Sequence, residues 1–374
     1  MKDLRIVLCT GIDKTSKLKA VEAARAAAST YRGGVGLHLY DFWGTLQEVA
    51  RDKGYAGKRE TITELPNREL QSLRELACYR ITEKFAKEIE NESERAKHVG
   101  IVVTRTIAPS PAGFTRTLDE THEVFDAEGC ISVIDNVEEM QKNLASDPVW
   151  ARLNLSREQV LSLRQDELAN TEEWCKSAIH RGRYFLIAVN EPPGTLLGLL
   201  FPTIAAPEAN KRVYISFPIT HADEAIKQKK QQFVARLRER WVVFDPGSVT
   251  EYDAAVSEYK KATTPEEVTS ARRWLERLGP VTVNNDYQLI TQSDGIVVYY
   301  PSMRVKVQDT RGEWVDAEQK VLSAGVIAEM IHAKNGQRTV QALWLSEQLS
   351  SPFFFRYCDP PIFKTEEEFF ERLR

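Results

Sequence analysis

The chain has 374 residues, of which 42% are hydrophobic and 28% charged, with a formal net charge of −4. That balance is ordinary for globular domains, the length suits two cores, and the weak negative charge supplies no field that draws a chain to nucleic acid. Five cysteines (Cys9, Cys78, Cys130, Cys175, Cys358) are odd in number, widely spaced and without a C-x-x-C pair, which argues for reduced thiols in a cytoplasm and against a zinc site or disulfide frame.

The chain enters directly into a strand, which predicts no signal peptide. Residues 4 to 11 read as that strand, buried and ending at Gly11. The loop Gly11 to Leu18 lies where a phosphate-binding G-x-x-x-x-G-K-[ST] loop would lie, but only Gly11 and Lys17 fit the pattern. Ser16 replaces the second glycine and Leu18 the hydroxyl residue that would hold magnesium. Leu153 to Ile179 carries charged and apolar residues at helical spacing, which predicts one or two helices packing around Trp174 with Glu and Arg on solvated faces. The run Thr195 to Pro207 is apolar but too short and Pro-interrupted to span a bilayer. Glu191-Pro-Pro-Gly194 marks a break, and Ala205 to Asn210 reads as a linker.

After the linker, Val213 to Thr220 reads as a strand and loop, His221 to Arg240 as a basic amphipathic helix with a solvated face, and Trp241 to Phe244 as a second strand. Asp245 follows it in a loop expected to line a cleft. Tyr252 to Leu278 reads as helical. Asn284 to Ile290 reads as helix and Asp294 to Pro301 as a buried parallel strand. Ser323 to Ala333 opens a helix with a small first turn and places one carboxylate, Glu329, in an apolar surround. Near a helix N-terminus the dipole favours the ionised form of such a group, and Gly325 leaves the backbone open to close approach. Ser323 is otherwise a helix N-cap, and Asp294 otherwise a structural turn residue. A strand near Thr339 and a closing helix, Glu366 to Leu373, end the order. Alternating strands and helices predict an α/β class with two parallel-sheet domains, residues 1–205 and 211–374.

The order of a first strand, an acid before a buried strand, and "G-x-x-x-E-x-x-x-A" over residues 211 to 350 resembles the nucleoside 2-deoxyribosyltransferase superfamily, including its nucleotide N-glycosidase branch. The resemblance implies a Rossmann-like, flavodoxin-like fold and a glycosyl transfer without cofactor or metal. Glu329 stands at the nucleophile's position, Asp286 at that of an acid touching sugar or base, and Tyr214 where a phenol orients the nucleophile. Ser323 and Gly325 match the form seen in the branch acting on 5′-monophosphates. Pro218, Asp245 and Asp294 complete the expected substrate-binding set. Such enzymes often complete their sites across a dimer, so a homo-oligomer is expected, with a nucleoside or nucleotide as ligand and neither nucleic acid nor membrane as partner.

In the first half, "DFWGTLQEVARDKGYAGKRETITELPNRELQSLRELA" (Asp41 to Ala77) and "VGIVVTRTIAPSPAGFTRTL" (Val99 to Leu118) resemble archaeal-type adenylate kinases. The resemblance implies a P-loop kinase-like fold over residues 1 to 190, with Gly11, Lys17 and Arg59 as remaining nucleotide contacts. Thr104 and Arg105 occupy the place of an acid near the magnesium, so a retired kinase domain is expected. The leading expectation is cleavage or exchange of an N-glycosidic bond. The alternatives are cleavage of NAD at its nicotinamide ribosyl bond, a non-catalytic nucleotide sensor or scaffold, and a nucleoside-monophosphate kinase that tolerates its altered loop.

Overall fold

The computed structural model describes residues 4–31, 34–55, 62, 65–89, 92–110, 113–118, 120–179, 183–202, 211–219, 222–302, 304–308, 314–318, 323–345 and 352–373. In chain order the first half runs β1 (Ile6–Thr10), α1 (Lys14–Ala28), β2 (Gly36–Asp41), α2 (Phe42–Asp52), α3 (Asn67–Glu88), β3 (His98–Val103), β4 (Ile107–Ser110) and β5 (Gly113–Arg116). It continues with β6 (Gly129–Ile134), α4 (Val137–Ser146), α5 (Arg157–Ala178), β7 (Arg183–Ala188) and α6 (Pro193–Leu200). The second half runs β8 (Arg212–Ser216), α7 (Glu224–Arg238), β9 (Val242–Phe244), α8 (Glu251–Lys261), α9 (Pro265–Thr291) and β10 (Gly295–Tyr300). Then come β11 (Arg304–Gln308), β12 (Trp314–Glu318), α10 (Ala324–Asn335), β13 (Thr339–Trp344), α11 (Pro352–Tyr357) and α12 (Glu366–Arg372). The protein is α/β, with two parallel sheets. Among the described residues, no helix is long and apolar enough to cross a membrane.

Contacts divide the chain into two units, Met1–Phe201 with Ser248–Thr282, and Pro202–Gly247 with Val283–Arg374. The stretch read as helical from Tyr252 to Leu278 is two helices, α8 and the start of α9, and it packs with the first unit, not with its sequence neighbours. Apolar Ala255, Trp274 and Leu278 enter one core cluster with Ile12, Val137, Met140, Trp150 and Val160. Arg164 and Glu251, both buried, clamp the packing: Arg164 donates to both Glu251 oxygens at 2.6 and 2.9 Å and to the Asp135 carbonyl at 2.9 Å. The Arg and Glu residues of α5 were expected on solvated faces. Arg164 and Glu167 are instead buried, because paired charges and backbone donors satisfy them there.

The first unit's sheet has the order β2-β3-β1-β6-β7, all parallel, with the β4–β5 hairpin outside it. β1 is central and fully buried, which explains its unbroken apolar run. Helix α5 is a single helix, begun by a capping box in which Ser156 and Gln159 satisfy each other's backbone donors.

The second unit's sheet has the order β13-β10-β8-β9, all parallel. Counted within the unit, the first strand lies between the second and third, so the chain reverses direction across the sheet between β8 and β10. Such a switch point opens a crevice outside the carboxyl ends of those two strands. Val213, Ile215 and Phe217 point to one face, into a cluster with Phe233, Leu237, Val297, Tyr299, Phe369 and Phe370. Strand alternation therefore turns Tyr214 and Ser216 to the opposite face.

Candidate active site

Helix α10 carries Glu329 to that opposite face. The Tyr214 phenol donates to Glu329 Oε1 at 3.0 Å, and the Ser216 hydroxyl donates to Oε2 at 2.5 Å. Two neutral donors from alternate positions of one strand thus hold both carboxylate oxygens. Asp286, half-buried on α9, faces the same group and repels it electrostatically. Tyr214 acts on both acids: its phenol bonds Glu329 and its presence lowers the proton affinity of Asp286.

Burial raises the pKa of both carboxyls above the ordinary carboxylate range, and the charge of Asp286 raises that of Glu329 further. Two acids in this situation titrate as a pair and retain a shared proton toward neutral pH. The Tyr214 phenol, buried beside them, is pushed well above its usual range and remains a donor. The dipole expectation for Glu329 is corrected here. Glu329 lies in the second turn of α10, where the dipole's influence has faded, and desolvation outweighs it. A carboxyl pair that shares one proton supplies an acid and a base at a single place.

The other expected residues fall into distinct settings. Asp245 follows β9 and influences Tyr214 electrostatically, but its carboxylate is held by Lys230 through both oxygens and by the Gly247 N–H at 2.9 Å. Lys230, expected on a solvated helix face, is buried for this reason. Pro218 is buried just beyond β8. Ser323 is the N-cap of α10, its hydroxyl accepting from the Val326 N–H at 3.5 Å. Gly325 is exposed, and a Cβ there would meet only the Ser323 hydroxyl at 3.6 Å, so neither backbone nor space demands glycine. Asp294 is corrected as a substrate residue. It precedes β10 at the amino end of the sheet, opposite the crevice, and accepts from the Arg212 N–H at 2.8 Å and from its guanidinium. His332, expected to pack, stacks on Tyr287 with ring centroids 4.1 Å apart.

In the first unit, residues 11–18, of which only Gly11 and Lys17 fit the phosphate-loop pattern, run into a helix instead of curling into such a loop. Helix α1 begins at Lys14, directly after its cap Asp13, whose carboxylate takes the Thr15 and Ser16 N–H groups at 2.9 Å each. Lys17 therefore lies within the helix and points inward, donating to the Gly11 carbonyl at 2.5 Å and to the Thr104 carbonyl. Burial pushes the Lys17 amine down to about 8. Gly11 is required by geometry: its φ is +142°, and a Cβ would lie 2.7 Å from the Val133 carbonyl oxygen. Arg59 lies outside the described residues.

Ser216 was missed in the sequence because β8 is buried on both faces, so its one polar inward position has no alternation to mark it. Among the described residues, no group of three or more His, Cys, Asp or Glu is placed to hold a metal ion. No protein-family model matches the chain, and no curated protein matches it at a significant level.

Proposed function

We propose that the second unit cleaves or transfers the N-glycosidic bond of a nucleoside or nucleoside 5′-monophosphate. The observation that carries this reading is the pair of hydrogen bonds from Tyr214 and Ser216 to the two oxygens of Glu329, beside a second acid, at the switch point of the sheet. The reacting form of the pair has Glu329 ionised, the state its two donors favour, and the proton on Asp286, against the further raising of Glu329 by the Asp286 charge. The Glu329 carboxylate attacks the anomeric carbon as the C–N bond breaks, and Asp286 delivers its proton to the departing base. The resulting glycosyl ester is opened by water or by a second base; in either case the nucleophile's proton passes to Asp286 and Glu329 leaves as a carboxylate. The positive charge that develops on the ring passes directly over an ionised carboxylate, where it is stabilised most.

The test is release of free base from a panel of nucleosides, their monophosphates and NAD, followed by chromatography with and without an acceptor base. Release by wild type and not by Glu329→Gln supports the reading, and the best substrate identifies the leaving group. Absence of release from every member under both conditions overturns it for those substrates.

A further inference from the structure

The carboxyl end of the first unit's sheet holds a built anion site that already has an occupant. Three backbone N–H groups converge there on Glu167 of α5. Gly11, leaving β1, donates to Oε1 at 3.1 Å; Thr106 and Ile107, beyond the adjacent β3, donate to Oε1 at 2.7 Å and Oε2 at 2.9 Å. The Lys17 ammonium and Arg105 guanidinium lie close enough to act on one another, and Glu167 supports the charge on Lys17. Glu167 is 1% exposed. Converging backbone donors backed by fixed cations are the arrangement that binds oxyanions, at the sheet end where open α/β folds take ligands.

The helix that delivers Glu167 is pinned on both sides of it. One turn earlier, Arg164 is tied to Glu251 and the Asp135 carbonyl. One turn later, the Thr171 hydroxyl bonds Thr10 Oγ1 at 3.0 Å, and Thr10 in turn meets Ser132 at 2.8 Å. Withdrawal of this stretch of helix would break both sets of buried contacts at once.

We propose that Glu167 is a permanent internal ligand of an oxyanion site, so that the first unit takes no phosphate group at this crevice. The chemistry of the vacated site is that of a small tetrahedral or planar oxyanion: three converging N–H donors with the Lys17 ammonium close by. This inference does not depend on glycosyl chemistry in the second unit.

The test uses the full chain with inorganic phosphate as probe, against chloride at matched ionic strength. Removal of the carboxylate in Glu167→Ala is expected to lower the thermal midpoint in chloride and to create a saturable response to phosphate. Each tenfold excess of phosphate over its dissociation constant raises the midpoint by roughly 3–5 °C. Wild type lacks this increment, and the added substitution Lys17→Met in the alanine background weakens it, which fixes its location. Should Glu167→Ala not fold in chloride, its refolding yield in phosphate against chloride reads the same property. A phosphate response no larger in Glu167→Ala than in wild type, or one indifferent to Lys17→Met, overturns the proposal.

Discussion

The Ser216 hydroxyl donates to Glu329 Oε2 at 2.5 Å, two residues along the same strand from the Tyr214 phenol that serves Oε1. A hydrogen bond to a charged group that is taken from solvent contributes about 1.5–3 kcal/mol. Ser216→Ala leaves Oε2 without this donor and raises the proton affinity of Glu329. Base release is expected to fall about 10- to 100-fold, and the acid limb of the pH–rate profile is expected to move to higher pH. Equal rates for the variant and wild type across the profile would deny Ser216 this positioning role.

The raised carboxyl pair also makes a prediction about stability that needs no substrate. Both groups have folded pKa values above their unfolded ones. Below the ordinary carboxylate range both are neutral in either state, so burial costs no charge. As pH rises through that range, the unfolded chain releases protons that the folded pair retains, and stability falls until the folded pair has titrated. Asp286→Asn removes one charge from the pair. Its denaturation midpoint should equal that of wild type near pH 3 and exceed it at pH 8, by on the order of 1–2 kcal/mol after allowance for partial exposure. A difference of the same size at both pH values would contradict a shared titration.

What the sequence revealed of this site follows from which signals are local. Glu329 stands out as a lone acid in an apolar helix, whereas Asp286 is reached only through the family resemblance. Ser216 gives no such signal, since every residue around it is buried for packing. Glu167 is hidden for a different reason. It lies in "RQDELANTEEW", where an acid at helical spacing looks like any solvated charge, and its donors are 60, 61 and 156 residues away. The fold class was legible from the alternation of strand and helix patterns. The assignment of α8 and the start of α9 to the first unit was not, because it rests on pairs distant in sequence such as Arg164 with Glu251 and Arg157 with Trp274.

Tyr300 ends β10 with its ring stacked on Trp344, centroids 4.6 Å apart, and its buried hydroxyl has no hydrogen-bond partner among the described residues. Burial alone pushes its pKa up to about 12, as expected of a phenol without a bonding neighbour. Tyr300→Phe keeps the stack and removes the unsatisfied group. It should stabilise the protein by about 1 kcal/mol, read as a higher thermal midpoint. A lower midpoint would mean that the hydroxyl is satisfied in solution.

Arg164 and Glu251 hold the returning segment Ser248–Thr282 to the first unit, alongside the Ser248 hydroxyl on Glu191 at 2.9 Å and the Thr250 N–H on Asn136 at 3.1 Å. Of these contacts only the ion pair is fully buried, so removing one partner strands the other charge away from water. Arg164→Met should cost about 3–5 kcal/mol in denaturant unfolding. The double variant Arg164→Met with Glu251→Leu should recover most of that loss, because two apolar side chains leave no orphaned ion, although the Val137 N–H and the Asp135 carbonyl each lose a bond. Amide exchange locates the effect: protection in α8 should fall in the single variant and return in the double. If the single variant left α8 protected, the ion pair would not be what fastens this segment, and the apolar contacts of Trp274 and Leu278 would have to suffice.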